Sequence, residues 1–244
     1  MQRPAVPTRQ MPSSVGGLRP LRLKHSLVST PLQLALLTPV AYLLGSIPFG
    51  LIVGRLKGID PRTAGSGNIG ATNVARLLGR RYFAIVFSLD LLKGLLPVGA
   101  ASLIVHAQGA ASAGWDIHLL WLLAGFAAVA GHIFSIFLRF TGGKGVATSA
   151  GVVLGVWPYF TWPGLVALAV WGAVFGIFRY VSLASVCAAG VFPIAYLSIG
   201  LAAGWPVLGA QWPLLAFALL IAVMIIARHR TNLSRLREGR EMRA

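Results

Sequence analysis

The chain has 244 residues, 57% of them hydrophobic and only 11% charged, with a mean hydropathy of +0.78. A soluble domain carries about a quarter of its residues as charges, so this composition excludes the soluble classes and identifies an integral membrane protein. Twenty-one Lys and Arg face five acids, a formal net charge of +16; the bases sit in short segments between apolar runs, where they set topology and meet anionic headgroups rather than nucleic acid.

Residues 1–31 hold Arg3, Arg9, Arg19, Arg22 and Lys24 and no acid, and their Pro, Ser and Gly content predicts a disordered N-terminal extension. It resembles a signal peptide in placing bases before an apolar run, but no small-residue cleavage site follows, so the first apolar run reads as an anchor. Apolar runs near 32–54, 82–106, 117–138, 159–178, 180–203 and 206–227 have the length a spanning helix needs, about 17 to 25 residues. A seventh, from about 145 to 157, is too short and too glycine-rich to cross in lipid contact and is expected inside the bundle. The predicted fold is therefore all-α: a seven-helix membrane domain over 32–227 with cytoplasmic Gly-rich loops, followed by a basic C-terminal tail at 228–244.

The connections alternate in charge. Six Lys and Arg lie in 55–81, two in 139–144, one at Arg179 and six in 228–244, while 107–116, 158–163 and 204–213 have none. The positive-inside rule places the basic connections and the C-terminus in the cytoplasm and the N-terminus outside. The basic first stretch disagrees with that orientation; the short interior loops, tied to the bundle, decide it. Trp157, Trp162, Trp205 and Trp212 gather near the outer ends of the spans, as an interfacial belt would.

Within 55–81 the stretch GSGNIGATN matches G-x-G-x-x-G at Gly65, Gly67 and Gly70. A dinucleotide fingerprint must follow a β-strand and open a crossover helix; here it follows an apolar span and the linker RLKGIDPRTA. What remains is a phosphate nest, glycine-rich backbone before a short helix that carries Arg76, with Ser66, Asn68, Thr72 and Asn73 as donors. A second loop, RFTGGKGVATSAG, sets Gly142, Gly143 and Gly145 around Lys144 at the start of the short helix. It is no Walker A loop, because Gly145 stands where Ser or Thr should follow the lysine. Two anion sites on one membrane face suggest a reaction that builds phospholipid.

Other polar residues fall on the same face. FRYVSLAS places Arg179, Ser182 and Ser185 at the start of a span, and ARHRTNLSRLREGRE places His229 and Asn232 on one helix face beyond the last span. Asp90 and Lys93, at i,i+3 inside a span, must point inward and pair; they read as a structural ion pair bracing the nests. His132 reads as a core histidine. Cys187 is alone, and no acidic cluster could hold a divalent metal, so neither metal nor cofactor is predicted.

These residues resemble the bacterial acyl-phosphate:glycerol-3-phosphate acyltransferases, the PlsY type, over about residues 38–241. GSIPFG, GSGNIGATNVAR, LDLLKG, GHIFSIFLRFTGGKGVAT, RYVSLAS and RHRTNLSRL occur in the family's order. The resemblance implies a seven-helix enzyme of the bacterial cytoplasmic (inner) membrane, with its active site facing the cytoplasm. Such an enzyme transfers an acyl group from acyl phosphate to the 1-hydroxyl of glycerol 3-phosphate, giving lysophosphatidate and phosphate in phospholipid synthesis. Its catalytic set corresponds to Ser66, Arg76, Lys144, Ser185, His229 and Asn232. Gly65, Gly67, Asn68, Gly142, Gly143, Gly145, Arg179 and Ser182 correspond to its phosphate- and substrate-binding residues. Its partners are the two substrates, the bilayer and an enzyme that supplies acyl phosphate. One departure is Ser135, where the family commonly has proline.

No His-x4-Asp dyad and no Ser–His–Asp arrangement is evident. An acyl phosphate is already activated, so positioning two phosphates and stabilising an oxyanion can suffice. The donor's phosphate oxygen and His229 are the competing bases. A transporter of phosphorylated anions would use similar loops, but no inverted repeat of the kind such folds carry is evident.

Overall fold

A computed structural model describes residues 29–107, 109 and 113–243; the predicted N-terminal extension lies almost wholly outside the described residues. Those residues form helices and connecting loops without a strand. Helix α1 (Thr30–Ser46) starts with proline in its first turn and breaks at Ile47–Pro48, because proline cannot donate to the helix ladder. The chain resumes as α2 (Phe49–Arg55), and together these make an apolar stretch of 26 residues. Then come α3 (Ala71–Leu78), α4 (Arg80–Ala107), α5 (Trp115–Ile133), a 3-10 turn (Ile136–Leu138), α6 (Val146–Gly155), α7 (Thr161–Phe178), α8 (Val181–Ala202), α9 (Trp212–Arg228) and α10 (Arg230–Arg237).

Among the described residues five helical segments are long and apolar enough to cross a membrane, and a sixth is counted when α9 and α10, bent by 51° at His229, are taken together. The short apolar helix is α6. Its ten residues rise about 15 Å, half of the hydrocarbon thickness, so it cannot cross alone. It packs chiefly on α4, with further contacts to α5 and α7. Glycines let the α4 and α6 backbones meet directly: a Cβ at Gly151 would strike the Leu91 carbonyl, and one at Gly94 the Thr148 carbonyl. Small residues at such crossings are how membrane helices approach closely.

The core is apolar around Trp121, Phe160, Tyr196, Leu34 and Leu214, all fully buried. Its aromatic part holds Phe160 against Phe192 and Tyr196 at centroid distances of 5.0 and 5.4 Å, geometry that favours edge-to-face pairs. Helix α7 packs mainly on α8 and buries only Pro163; a helix apolar all round with most of its surface unpacked belongs in lipid. Trp157, Trp162 and Trp212 are exposed as an interfacial belt requires, whereas Trp205 is half-buried and packs against the core through Tyr159 and Tyr196.

Candidate active site

The first glycine loop is organised by Asn73. Its amide nitrogen donates to the carbonyls of Pro61 (2.9 Å), Asn68 (2.8 Å) and Ala64 (3.1 Å), and its Oδ1 accepts the Ser66 N–H at 2.7 Å. Asn73 is therefore committed to folding the loop and is not free to read an oxyanion. Gly65 has φ +60° and lies against the Asn73 Oδ1, a place closed to any Cβ. The Gly67 N–H is bonded to Ala64 and the Gly70 N–H to the Asn68 side chain. Three N–H groups of the predicted nest, those of Ser66, Gly67 and Gly70, are thus spent within the loop, and Ser66, Asn68 and the first turn of α3 are left to face the cavity described below.

The second loop is braced from below. His132, on α5 and 4% exposed, accepts the Gly143 N–H on its carbonyl, and its ring lies where a Cβ of Gly143 would be. Its Nδ1 stands 3.7 Å from the Asp90 carboxylate, which pairs with Lys93 at 2.9 Å. Lys93 also donates to the Ile47 carbonyl at 2.8 Å. Asp90, Lys93 and His132 so tie the α1–α2 break, α4, α5 and the second loop together. Ser135 joins the same frame. Its φ of -64° is one that proline also adopts, and its hydroxyl donates to the Ser46 carbonyl at 2.6 Å. Proline would fit this φ but could not make this bond. From above, Arg228 donates to the carbonyls of Gly142 (3.0 Å) and Gly143 (3.2 Å).

The tail completes the arrangement. The Lys144 ammonium donates to Asn232 Oδ1 at 2.6 Å, and Asn232 Nδ2 donates to Glu241 at 2.7 Å. Glu241 also accepts from Ser182 at 2.8 Å and Arg235 at 3.1 Å, and Arg76 donates to the Met242 carbonyl at 3.2 Å. Burial alone would raise the Glu241 carboxyl, but the bonds from Asn232, Ser182 and Arg235 outweigh it and hold it below the usual carboxylate range. Lys144 is brought down to about 8, chiefly by burial, with Arg235, Arg76 and Arg228 adding to the effect and Glu241 opposing it. Burial and then Lys144 push His229, just past the end of α9, down to about 4, so its imidazole is neutral at pH 7. Its Nδ1 lies 2.8 Å from the Ile225 carbonyl. A carbonyl only accepts, so Nδ1 carries the proton and Nε2 keeps its lone pair.

One cavity of about 580 Å³ collects these groups. Ser66, Arg76, Lys144, Ser185, His229 and Asn232 all line it, joined by Asn68, Gly145, Ser182 and Glu241. The first turns of α3 and α6 border it, and a helix N-terminus favours an anion. The cavity continues between α6, α7, α8 and α9 along apolar side chains such as Leu165, Leu168, Ala189 and Phe192. Gly65, Gly142 and Gly143 shape the loops without lining it. Arg179, a candidate for substrate binding, lies elsewhere: it ends α7 with φ 62° and stacks its guanidinium over Phe175 at 5.0 Å. Glu241, Arg228 and Arg235 were not among the candidates. Glu241 did carry a signal, as one of only five acids, lying in the most basic segment of the chain. Among the described residues no group of three His, Cys, Asp or Glu could hold a metal ion.

Comparison with known proteins identifies the chain's relatives. The profile of the family described as glycerol-3-phosphate acyltransferase matches residues 35–239. The glycerol-3-phosphate acyltransferase of Aquifex aeolicus is 45% identical over 205 residues, covering 83% of this chain and 95% of the relative. That of Geobacter sulfurreducens is 44% identical over 210 residues, covering 85% and 96%. Among solved structures, the glycerol 3-phosphate form of PlsY, an integral membrane glycerol 3-phosphate acyltransferase, superposes with a TM-score of 0.72 at 42% identity, covering 87% of this chain and 96% of that one. Its lysophosphatidic acid form gives 0.69 at 43% identity, covering 86% and 95%. Matched by that profile over residues 35–239 and covering nearly the whole length of its relatives, this chain belongs to the PlsY family of integral membrane glycerol-3-phosphate acyltransferases.

Proposed function

We propose that the protein transfers an acyl group from acyl phosphate to the 1-hydroxyl of sn-glycerol 3-phosphate, releasing 1-acylglycerol 3-phosphate and phosphate, at the cytoplasmic face of a bacterial inner membrane. The observation that carries this reading is the single cavity in which Arg76 and Lys144 meet Ser66, Ser185, His229 and Asn232 and which runs on into an apolar trough. The trough suits the acyl chain and the cationic end suits two phosphates. An acyl phosphate needs no nucleophilic residue: the acceptor hydroxyl attacks the acyl carbon, the carbon–oxygen bond to phosphate breaks, and the phosphate leaves with the electron pair. The hydroxyl proton passes to a phosphate oxygen of the donor, the base left most available where the two acids lining the cavity, Asp90 and Glu241, are already engaged with Lys93 and Arg235. His229 at about 4 is a weak base at pH 7; its Nε2 suits it to accept a hydrogen bond from the hydroxyl and align it. Arg76, Lys144 and the helix N-termini neutralise charge that grows on the phosphate and the carbonyl oxygen.

The test is lysophosphatidate formation and phosphate release by purified protein given palmitoyl phosphate, with and without glycerol 3-phosphate, beside palmitoyl-CoA and the Lys144→Ala variant. Acceptor-dependent release from palmitoyl phosphate alone, lost in the variant, is expected. Transfer from palmitoyl-CoA at the same rate would refute the assignment of the donor. His229→Gln should keep a measurable fraction of activity if His229 aligns the hydroxyl, and lose essentially all of it if His229 is the base.

A further inference from the structure

Beside the large cavity lies a second one of about 360 Å³. Ser66, Asn68, Lys144 and Asn232 line both, so these four residues form the partition between them. On its other side the second cavity is lined by the junction of α9 and α10, through Arg228, Arg230, Thr231 and Arg235, and among the described residues no acid lines it. Arg228 spends Nη2 on the Gly142 and Gly143 carbonyls, yet its buried Nε has no hydrogen-bond partner. Arg235 gives Nε to Glu241 and keeps its two Nη groups. Three guanidinium groups, a lysine shared with the reaction cavity and a threonine hydroxyl are the chemistry of a phosphate dianion.

The large cavity gives an amphiphilic donor its apolar path, but a water-soluble phosphate gains nothing from an apolar trough and needs another route. We infer that the second cavity is a subsite for water-soluble phosphate, reached from the polar side of the Lys144–Asn232 bridge, with Arg230, Thr231 and Arg235 as binding residues. It takes the phosphate of glycerol 3-phosphate on its way to the partition, or inorganic phosphate on its way out. This rests on the acyl-phosphate reading above, because that reaction has a soluble phosphate on each side.

The experiment uses the full chain in detergent with Arg230→Gln, Thr231→Val and the pair together, at constant ionic strength. Arg230 and Thr231 are exposed on α10, so the variants leave the core intact; unchanged melting temperatures check this. Binding of inorganic phosphate is measured by calorimetry without donor, and KM is measured for glycerol 3-phosphate and palmitoyl phosphate, with product inhibition by phosphate. Because the groups are partly solvated, the pair should weaken phosphate binding ~3- to 10-fold, with Arg230→Lys restoring part of it. The KM of palmitoyl phosphate should move less than about twofold, as expected of groups that do not touch the donor. A rise in the glycerol 3-phosphate KM assigns the subsite to the acceptor, and a weaker product inhibition assigns it to the leaving phosphate; either supports the inference. Unaltered phosphate binding, or equal rises in both KM values, would overturn it. Wild-type protein that binds phosphate with this dependence on Arg230 but turns over no acyl phosphate would sink the proposed donor and leave the subsite standing.

Discussion

Lys144→Arg is the substitution that most directly probes the charge at the centre of the site. Lys144 titrates near 8, brought down from 10.5 mainly by burial, which corresponds to ~3 kcal/mol of lost proton affinity. The direction is that of a cation destabilised by its surroundings: the ammonium is present below this value and is lost as the pH rises through it. In the wild-type enzyme kcat/KM should therefore bend downward above pH about 8 and fall about tenfold per unit beyond, as for a single essential proton. A guanidinium stays charged throughout that range, so in Lys144→Arg the bend should vanish. Activity at pH 7 should nevertheless drop ~10- to 100-fold, because the planar fork cannot reproduce a single Nζ donor aimed at Asn232. Glu241→Gln, which removes the one acid that favours the charged lysine, should move the bend to lower pH. The assay is initial-rate lysophosphatidate formation from palmitoyl phosphate between pH 6 and 10, corrected for spontaneous donor hydrolysis. An unchanged bend in Lys144→Arg would refute the assignment and move the titrating group elsewhere.

Gly143→Ala should lower kcat/KM by about 100-fold with the fold intact. The new methyl meets the His132 ring, whose Cε1 and Cδ2 would lie at 2.9 and 3.0 Å, and a loop moved by about 1 Å loses its alignment; steady-state kinetics check it. Asp90→Asn should destabilise the protein by ~3–5 kcal/mol, since Lys93, 3% exposed, is left as an uncompensated buried charge. Thermal unfolding in detergent measures this, and Asp90→Asn with Lys93→Met should recover much of the loss. Ala189→Trp, at a 7% exposed position on the apolar trough, should raise the KM of palmitoyl phosphate and spare octanoyl phosphate and glycerol 3-phosphate. Equal effects on the two chain lengths would contradict the trough as the acyl path.

The hydrophobic runs determined the helices by themselves, because a bilayer admits only helices or closed barrels and each run had a helix's length. The short apolar run at α6 was legible for the same reason: ten residues cannot cross. Glycine-rich stretches marked the loops that carry Ser66 and Lys144 and the start of the short helix with Arg76. What they could not show is where each N–H points. Only the folded loop reveals that Asn73 consumes the Ser66 N–H, and only the helix end reveals that Arg179 turns onto Phe175. Glu241 stood out in the sequence as a rare acid among bases, but its partners were set by tertiary structure. Its contact with Ser182 spans 59 residues, and the Lys144–Asn232 bond spans 88. Local pattern carries no record of such pairs, because they form only when α8, α10 and the loop before α6 are packed at the same end of the bundle.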